Sequence, residues 1–316
     1  MQPAPLHTEI HPGPADGAAH WLTTSDGVRI RVGHWGHTAD RGTVLLFPGR
    51  TEYVEKYAVI AGGLAQRGYA TMAVDWRGQG LADRLLDDVR IGHVDRFLDY
   101  QRDVAAMVDA ARALDLPEPY FLLAHSMGGC IGLRALHGGL PVQAAVFTGP
   151  MWGIRIAPHM QPLAWIMPRL MPALGHGHTL PPGTKLDSYV LSEPFEDNLL
   201  TTDAEMWEMM RDHLRAQEGL RLGGPSFVWL REALEECQAL ARMAAPPVPT
   251  LTLQGANERI VHTGRIAAIM RKWPQGTLRI IPNGEHEVLM EGPDTRARIL
   301  DEITDMFERA PAHVAA

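Results

Sequence analysis

The sequence predicts an α/β protein built on a mostly parallel sheet with helices on both faces. Strands and helices alternate along the chain, and the strands are continuously apolar instead of alternating between apolar and polar residues. A long stretch without a buried strand interrupts this alternation and predicts a helical insertion. We therefore expect a core formed by residues 19–149 and 246–310, a helical cap at 150–245 and a flexible N-terminal lead-in at 1–18.

The length of the chain is enough for one large α/β domain with an insertion, or for two ordinary domains. The chain has 316 residues, 46% of them hydrophobic, which is enough for a sizeable core. Its net charge is −8, so no nucleic-acid partner is expected. The two cysteines, Cys130 and Cys237, lack the spacing of metal ligands and indicate neither zinc nor a disulfide framework. No metal and no cofactor are predicted.

The N-terminal residues lack a cationic start followed by an apolar run, so a secretory signal is not expected. The most apolar stretch, 157–174, contains three prolines and should not span a membrane as an ordinary helix. We expect a cytoplasmic protein, and the sequence leaves a peripheral membrane contact open. The oligomeric state is not predicted.

The first half of the chain predicts a hairpin and then four buried strands. HWLTTS and VRIRVGHW flank an Asp26-Gly27 pair, which is a strong hairpin signal. TVLLFPG, YATMAVD, YFLLA and AAVFTG are apolar runs typical of buried strands. Helices are expected between these strands at 54–67, 97–114 and 127–136.

The second half predicts helices first and then a return of strands. Thr202 and Glu205 have the spacing of a capping box at the start of a helix. A second helix is expected at 226–241. VPTLTLQG and TLRIIP then predict two more strands, with one helix between them and a last helix at about 295–309.

Ser126 is the candidate nucleophile. The residues AHSMG, 124–128, follow the predicted strand YFLLA and precede a helix, which is the context of a nucleophile elbow. The strand and the helix nearly touch in such a turn, so its neighbours must be small, as Ala124, Gly128 and Gly129 are. A helix that begins at Met127 would point free N–H groups at the site. The alternative is a tight turn without chemistry.

A serine hydroxyl needs a base, and the base needs an acid that orients it. His286 follows the strand TLRIIP and precedes the last helix, where the base is expected. Two alternatives are open. His286 is a surface loop histidine without a catalytic role, or His313 in the C-terminal tail is the base. Glu258, in the loop after VPTLTLQG, is the candidate acid. Glu285 and Glu287, which flank the histidine, are the alternatives to Glu258.

The oxyanion hole requires two backbone N–H donors. We expect them to be Met127, directly after the nucleophile, and Arg50, in the loop after TVLLF. For the Arg50 side chain two interpretations are open, a solvated cation or an ion pair with an acid such as Glu52.

The predicted cap is rich in methionine and tryptophan. Most of these residues should pack the cap onto the core. Taken together they also favour an apolar acyl pocket, because methionine and tryptophan adapt to flexible chains. Met151, Trp152 and Trp229 are the candidate lining residues.

Three other features predict no ligand site. Gly78-x-Gly80 lacks the third glycine of a dinucleotide fingerprint. His176-x-His178 has no acidic or cysteine partner nearby in the sequence, which is typical of a solvated loop. A structural role is expected for His93.

The motifs GRTEYVEKY, VDWRGQG, GHVDRFLDY, AHSMGG, GANERIV and HEVLME occur in that order. Together they resemble the lysophospholipase and monoacylglycerol-lipase group of α/β-hydrolases, from about residue 21 to about 307. The resemblance implies hydrolysis of an ester, often of a monoacyl lipid, by Ser126, Glu258 and His286 under a helical cap. This chain departs from the group by having Glu258 where an Asp is usual and Ala124 where a Gly is usual.

The sequence therefore predicts a carboxylic ester hydrolase that works through an acyl-enzyme on a small-molecule ester. A thioesterase, lactonase or peptidase on the same scaffold is an alternative, because the triad does not select the scissile bond. A non-catalytic ligand-binding relative is a further alternative, against which the complete set of Ser, acid and His argues.

Overall fold

A nine-stranded sheet runs through residues 1–311, the part of the chain that this computed structural model describes. In chain order its strands are β1 (Gln2–Pro3), β2 (Ala18–Thr23), β3 (Arg29–Trp35), β4 (Thr43–Phe47), β5 (Ala70–Asp75), β6 (Tyr120–His125), β7 (Ala145–Thr148), β8 (Thr250–Gly255) and β9 (Gly276–Ile281). Their order across the sheet is β1-β2-β3-β5-β4-β6-β7-β8-β9. The six strands from β5 to β9 in that order are parallel, and β1 to β3 are antiparallel to their neighbours. The predicted fold class is confirmed.

The predicted hairpin is formed by β2 and β3, which pair from Ala18 opposite His34 to Thr23 opposite Arg29. Its turn contains Gly27 at a φ of 86°, a backbone conformation that glycine adopts without strain. The N-terminal residues add the short strand β1 beside β2.

Along the chain, the helices lie between the parallel strands, in the long segment between β7 and β8, and after β9. They are α1 (Ala58–Ala65), α2 (Tyr100–Ala113), α3 (Met127–His137), α4 (Gln161–Ala173), α5 (Tyr189–Ser192), α6 (Ala204–Ala216), α7 (Phe227–Arg242), α8 (Thr263–Met270) and α9 (Pro293–Arg309). Two predicted helices begin as 3-10 turns, at Val54–Tyr57 before α1 and at Phe97–Asp99 before α2. None of the helices in residues 1–311 is long and apolar enough to cross a membrane.

The parallel strands β4 to β8 are buried along their whole length because helices cover both faces of the sheet, whereas the edge strand β9 is mostly exposed. Along β4, Leu45 and Phe47 belong to one hydrophobic cluster, whereas Val44 and Leu46 belong to the other. Side chains of α2 and α3 complete the first cluster, and side chains of α1 and α9 complete the second. A strand between two helical layers has no solvated face and therefore no polar alternation.

Residues 149–249 contain α4 to α7 and no strand of the sheet. Ser226 begins α7, as its hydroxyl oxygen accepts the N–H of Trp229 at 3.1 Å. The predicted capping box at Thr202 is wrong, since Asp203 accepts the Met206 N–H at 2.8 Å and begins α6. Thr202 instead donates its hydroxyl to Glu291, a contact between distant parts of the chain that the local pattern does not contain.

The start of α3 packs directly against the end of β4. A Cβ atom at Gly128 would lie 2.1 Å from the carbonyl oxygen of Phe47. Glycine is therefore required at this position by the close approach of two backbones, and that approach brings the first turn of α3 to the edge of the sheet.

We predict that Gly128→Ala destabilises the protein, although alanine favours helices. The added Cβ must push α3 away from β4, and overpacking a core costs about 1–3 kcal/mol or more. Gly62→Ala in α1 is the matched control, because a Cβ there meets no atom within 4 Å. It should raise the free energy of unfolding by about 0.5–1 kcal/mol. Urea denaturation measures both, and equal effects of the two substitutions would contradict the packing argument.

Candidate active site

Ser126 lies in the sharp turn that connects β6 to α3. Its φ is 50° and its ψ is −116°, a conformation that non-glycine residues adopt only when the surrounding structure holds them there. The Ser126 N–H donates to the carbonyl of Thr148 at 3.0 Å, which ties the turn to the end of β7. The side chain is therefore fixed at the carboxyl edge of the parallel strands.

His286 lies in the loop after β9 and brings its ring to Ser126. The distance from His286 Nε2 to Ser126 Oγ is 2.9 Å, and the histidine is 3% exposed. Gly149, at a φ of 49°, leaves room for the ring, since a Cβ there would lie 3.1 Å from Nδ1. The imidazole is thus held within hydrogen-bond distance of the serine hydroxyl.

Glu258, in the loop after β8, orients this ring. Its Oε2 lies 2.6 Å from His286 Nδ1, and its Oε1 accepts the N–H groups of Ile260 at 2.7 Å and Val261 at 3.0 Å. Burial raises the pKa of Glu258, but the hydrogen bonds from His286 and the two N–H groups outweigh burial and hold the pKa below its usual value. An ionised Glu258 places the ring proton on Nδ1, which leaves Nε2 free to accept the serine proton.

The rival acids have other partners. Glu285 lies 3.4 Å from Arg259, and Glu287 accepts a hydrogen bond from Lys56 at 2.6 Å. Within residues 1–311, Glu258 is the carboxylate that is hydrogen-bonded to His286. The rival base His313 lies outside the described residues.

The loop between β4 and the 3-10 turn carries Arg50, one of the two expected oxyanion donors, and the other, Met127, is the first residue of α3. The Gly49 N–H is engaged by the Glu52 carboxylate. Trp76 donates to the Pro48 carbonyl at 2.9 Å, and Gln79 donates to the Gly49 carbonyl at 2.8 Å. The Gly-rich turn that holds Gln79 therefore fixes the loop, a role that the sequence analysis did not assign.

A buried ion network, which the sequence analysis missed, connects this loop to the residue after His286. Lys56 donates to Glu52 at 2.8 Å and to Glu287 at 2.6 Å, and all three side chains are buried. Burial opposes ionisation of Glu52, but Lys56 and neighbouring donors lower its pKa to about 2. Burial raises the pKa of Glu287. The sequence offers one signal for the network, the charges within GRTEYVEKY, but it does not show their partners.

An apolar cavity of about 450 Å³ opens beside these groups. Ser126, His286 and Arg50 line it, together with Met151 and Trp229, two of the three candidate lining residues. Much of the remaining lining is apolar and comes from segment 150–245, including Val190, Leu199, Leu200, Met210, Leu214 and Leu230.

Trp152 does not line this cavity, and its assignment to the acyl pocket is wrong. Its side chain is fully buried, packs against Phe147 and Trp273, and donates its indole N–H to the Gly129 carbonyl at 3.1 Å. Methionine and tryptophan in a helical segment do not reveal by sequence which of them face a cavity and which fill the core.

His178 also has partners that the sequence did not predict. It lies with His93 and Asp95 in a group whose potential ligand atoms are all within 4.8 Å of one another. His93 already has a partner at each ring nitrogen, Ser226 at 2.7 Å and Asp95 at 3.1 Å. Hydrogen bonding accounts for His93, which connects the core to the start of α7, and we assign no metal to the group.

The sheet order, the serine turn and the three loops define an α/β-hydrolase fold. The model of the family described as serine aminopeptidase, S33 matches residues 38–293. The chain is 34% identical over 300 residues to lysophospholipase L2 of Escherichia coli strain K12, with 89% of this chain and 83% of that protein covered. It is 28% identical over 270 residues to a probable lysophospholipase L2 of Haemophilus influenzae, with 84% of this chain and 83% of that protein covered. The chain belongs to this serine aminopeptidase S33 family of α/β-hydrolases.

Solved structures agree on the fold. A soluble variant of monoglyceride lipase from Saccharomyces cerevisiae matches with a TM-score of 0.73 at 19% identity, over 98% of this chain and 100% of that chain. A thermostable carboxyl esterase from Bacillus coagulans matches with a TM-score of 0.74 at 14% identity, over 93% of this chain and 98% of that chain.

We predict that Lys56→Met lowers the free energy of unfolding by about 3–5 kcal/mol, because it leaves Glu52 and Glu287 buried without their cation. Arg309→Ala is the control, since its ion pair with Asp305 is exposed and should contribute less than about 1 kcal/mol. Urea denaturation of both variants measures the difference. A Lys56→Met protein as stable as the control would refute a structural role for the network.

Proposed function

We propose that the protein is a serine hydrolase that cleaves carboxylic esters of monoacyl lipids, as a lysophospholipase or monoacylglycerol lipase does. The observation that carries the proposal is the continuous hydrogen-bonded series Glu258, His286 and Ser126 beside an apolar cavity. The 34% identity to lysophospholipase L2 supports the substrate class.

In the proposed first step, the Ser126 hydroxyl oxygen attacks the ester carbonyl carbon while His286 Nε2 takes the hydroxyl proton. Glu258 stabilises the imidazolium that forms. The negative charge that develops on the carbonyl oxygen is held by the backbone N–H groups of Arg50 and Met127. Met127 suits this role because it is the first residue of α3, where the N–H has no partner within the helix.

In the second step, His286 returns the proton to the oxygen of the leaving alcohol, and the ester C–O bond breaks. A water molecule then gives a proton to His286 and attacks the acyl-enzyme. The acid leaves and Ser126 regains its proton.

We propose that segment 150–245 is a cap over the cavity and that residues 19–149 and 246–310 form the catalytic core. The apolar lining from this segment supports an acyl site, since a fatty chain is bound by apolar surface. A peptidase that removes N-terminal residues must bind an ammonium group. The two carboxylates of the lining, Glu52 and Glu287, are both paired with Lys56, which favours esters over such peptides.

We also propose a cytoplasmic protein that touches a membrane surface through α4. Three side chains of this helix and the residue that ends it are between 40% and 60% exposed, spaced three or four residues apart: Leu163, Ile166, Leu170 and Leu174. Such a stripe suits the interface of a lipid bilayer. The two free, buried cysteines agree with a reducing compartment.

We predict that Ser126→Ala reduces hydrolysis of a monoacylglycerol by several orders of magnitude. Glu258→Gln should reduce kcat by about 10⁴-fold, because an amide no longer fixes the Nδ1 proton. Glu285→Gln, a rival carboxylate next to His286, is the control and should retain activity within a few-fold. Activity of Ser126→Ala near the wild-type rate would refute the proposed function, and a larger loss in Glu285→Gln than in Glu258→Gln would refute the choice of acid.

We predict that the double variant Ile166→Asp, Leu170→Asp binds phospholipid vesicles at least about tenfold more weakly than the wild type, since each apolar side chain buried contributes about 1.5 kcal/mol or more. Co-sedimentation with vesicles of phosphatidylethanolamine and phosphatidylglycerol measures this. Ile280→Asp, an exposed apolar position on β9, is the control. Equal binding by the double variant and the wild type would exclude α4 as the contact.

A further inference from the structure

The Arg50 side chain is held at a fixed place in the cavity by uncharged neighbours. Its Nη2 donates to the Gly223 carbonyl at 2.5 Å, and the guanidinium lies over the Trp229 ring at 5.2 Å from the centroid. It also lies against the backbone of Gly92, where a Cβ would come within 2.6 Å of Nη2. These neighbours come from two separate parts of the chain, residue 92 and residues 223–229, so the position of the guanidinium is determined by the fold.

Arg50 has no carboxylate partner within residues 1–311. Its Nε is buried and lacks any hydrogen-bond partner among these residues. Glu52, the partner that the sequence suggested, is bonded to Lys56 and Tyr57 instead. Burial lowers the pKa of Arg50 to about 10, so the group is still a cation at neutral pH.

Arg50 is half-buried, and a cation with no carboxylate partner among residues 1–311 is costly there, because it loses part of its hydration without gaining an opposite charge. The other cation of the cavity wall, Lys56, shows the usual solution, with two carboxylates bonded to it. Arg50 has free donors in a fixed arrangement, and a guanidinium binds phosphate oxygens through paired N–H groups. We therefore expect the anion that pairs with the Arg50 guanidinium to be part of the substrate.

The backbone of Arg50 places this cation close to the ester. Its N–H is the proposed donor to the ester oxygen, so the guanidinium lies one side-chain length away from that oxygen. In a 1-acyl lysophospholipid, the ester and the phosphodiester are separated by the three glycerol carbons, a comparable number of bonds.

We propose that the Arg50 guanidinium is the binding subsite for the phosphodiester of a lysophospholipid, on the alcohol side of the ester that Ser126 cleaves. This rests on the proposed function and makes it more specific, since a neutral monoacylglycerol gains nothing from the subsite. If the Arg50 side chain only held Gly223 of segment 150–245 in place through Nη2, its loss would change the hydrolysis of all esters equally. The two roles therefore differ in selectivity.

The test is the ratio of kcat/KM for 1-lauroyl lysophosphatidylethanolamine to kcat/KM for 1-monolauroylglycerol. Arg50→Met should lower this ratio about 10- to 100-fold, the effect of losing charge-assisted hydrogen bonds. Arg50→Lys keeps the positive charge and should lower this ratio less than Arg50→Met does. Using a ratio removes any effect of the substitution on the shared oxyanion step.

Gly92→Ala tests the same point without altering Arg50, because the new Cβ must displace the guanidinium. It should also lower the ratio, whereas Gly62→Ala should not. Should Arg50→Met fail to fold, Gly92→Ala decides alone. An unchanged ratio in the folded variants overturns the subsite and leaves the proposed function intact. A wild-type protein that hydrolyses neither lipid overturns both.

Discussion

The active site depends on the close approach of the start of α3 to the end of β4. Gly128 permits this approach, since any Cβ would collide with the Phe47 carbonyl. The contact forces Ser126 into its positive-φ turn and directs the first N–H groups of α3 toward the sheet edge. Parallel strands end at the same edge, so the loops after β8 and β9 bring Glu258 and His286 to the same place.

Buried charges then fix the loop that faces Ser126. Lys56 joins Glu52 to Glu287 and so connects this loop with the histidine loop. Arg31, also fully buried, donates to Glu55 and Asp75 at 2.7 Å and holds the adjoining 3-10 turn against β5. Each of these cations has its own carboxylates. The Arg50 guanidinium differs from them, since among residues 1–311 its side chain donates to one backbone carbonyl and to no carboxylate. In a binding cavity, recognition explains such a cation more readily than stability does.

The sequence predicted the fold class, most of the strands and helices, and the three groups in the series, because these depend on local patterns. Buried parallel strands are uniformly apolar, and the elbow has a fixed context of strand, serine and helix. The sequence could not predict which side chains, distant along the chain, contact one another. One of the two interpretations of the Arg50 side chain paired it with Glu52, which lies with Lys56 instead, and Trp152 fills the core instead of lining the cavity. Such pairings depend on packing in three dimensions, and neighbours in sequence do not reveal them.

The central claim, that Ser126 is a nucleophile activated by His286, is tested most directly by covalent labelling. The native protein is treated with a fluorophosphonate, and the modified peptide is identified by mass spectrometry. We expect a single label on Ser126, and no label when His286 is replaced by alanine in a folded protein. Labelling of another residue, or unchanged labelling of Ser126 in the absence of His286, would contradict the account.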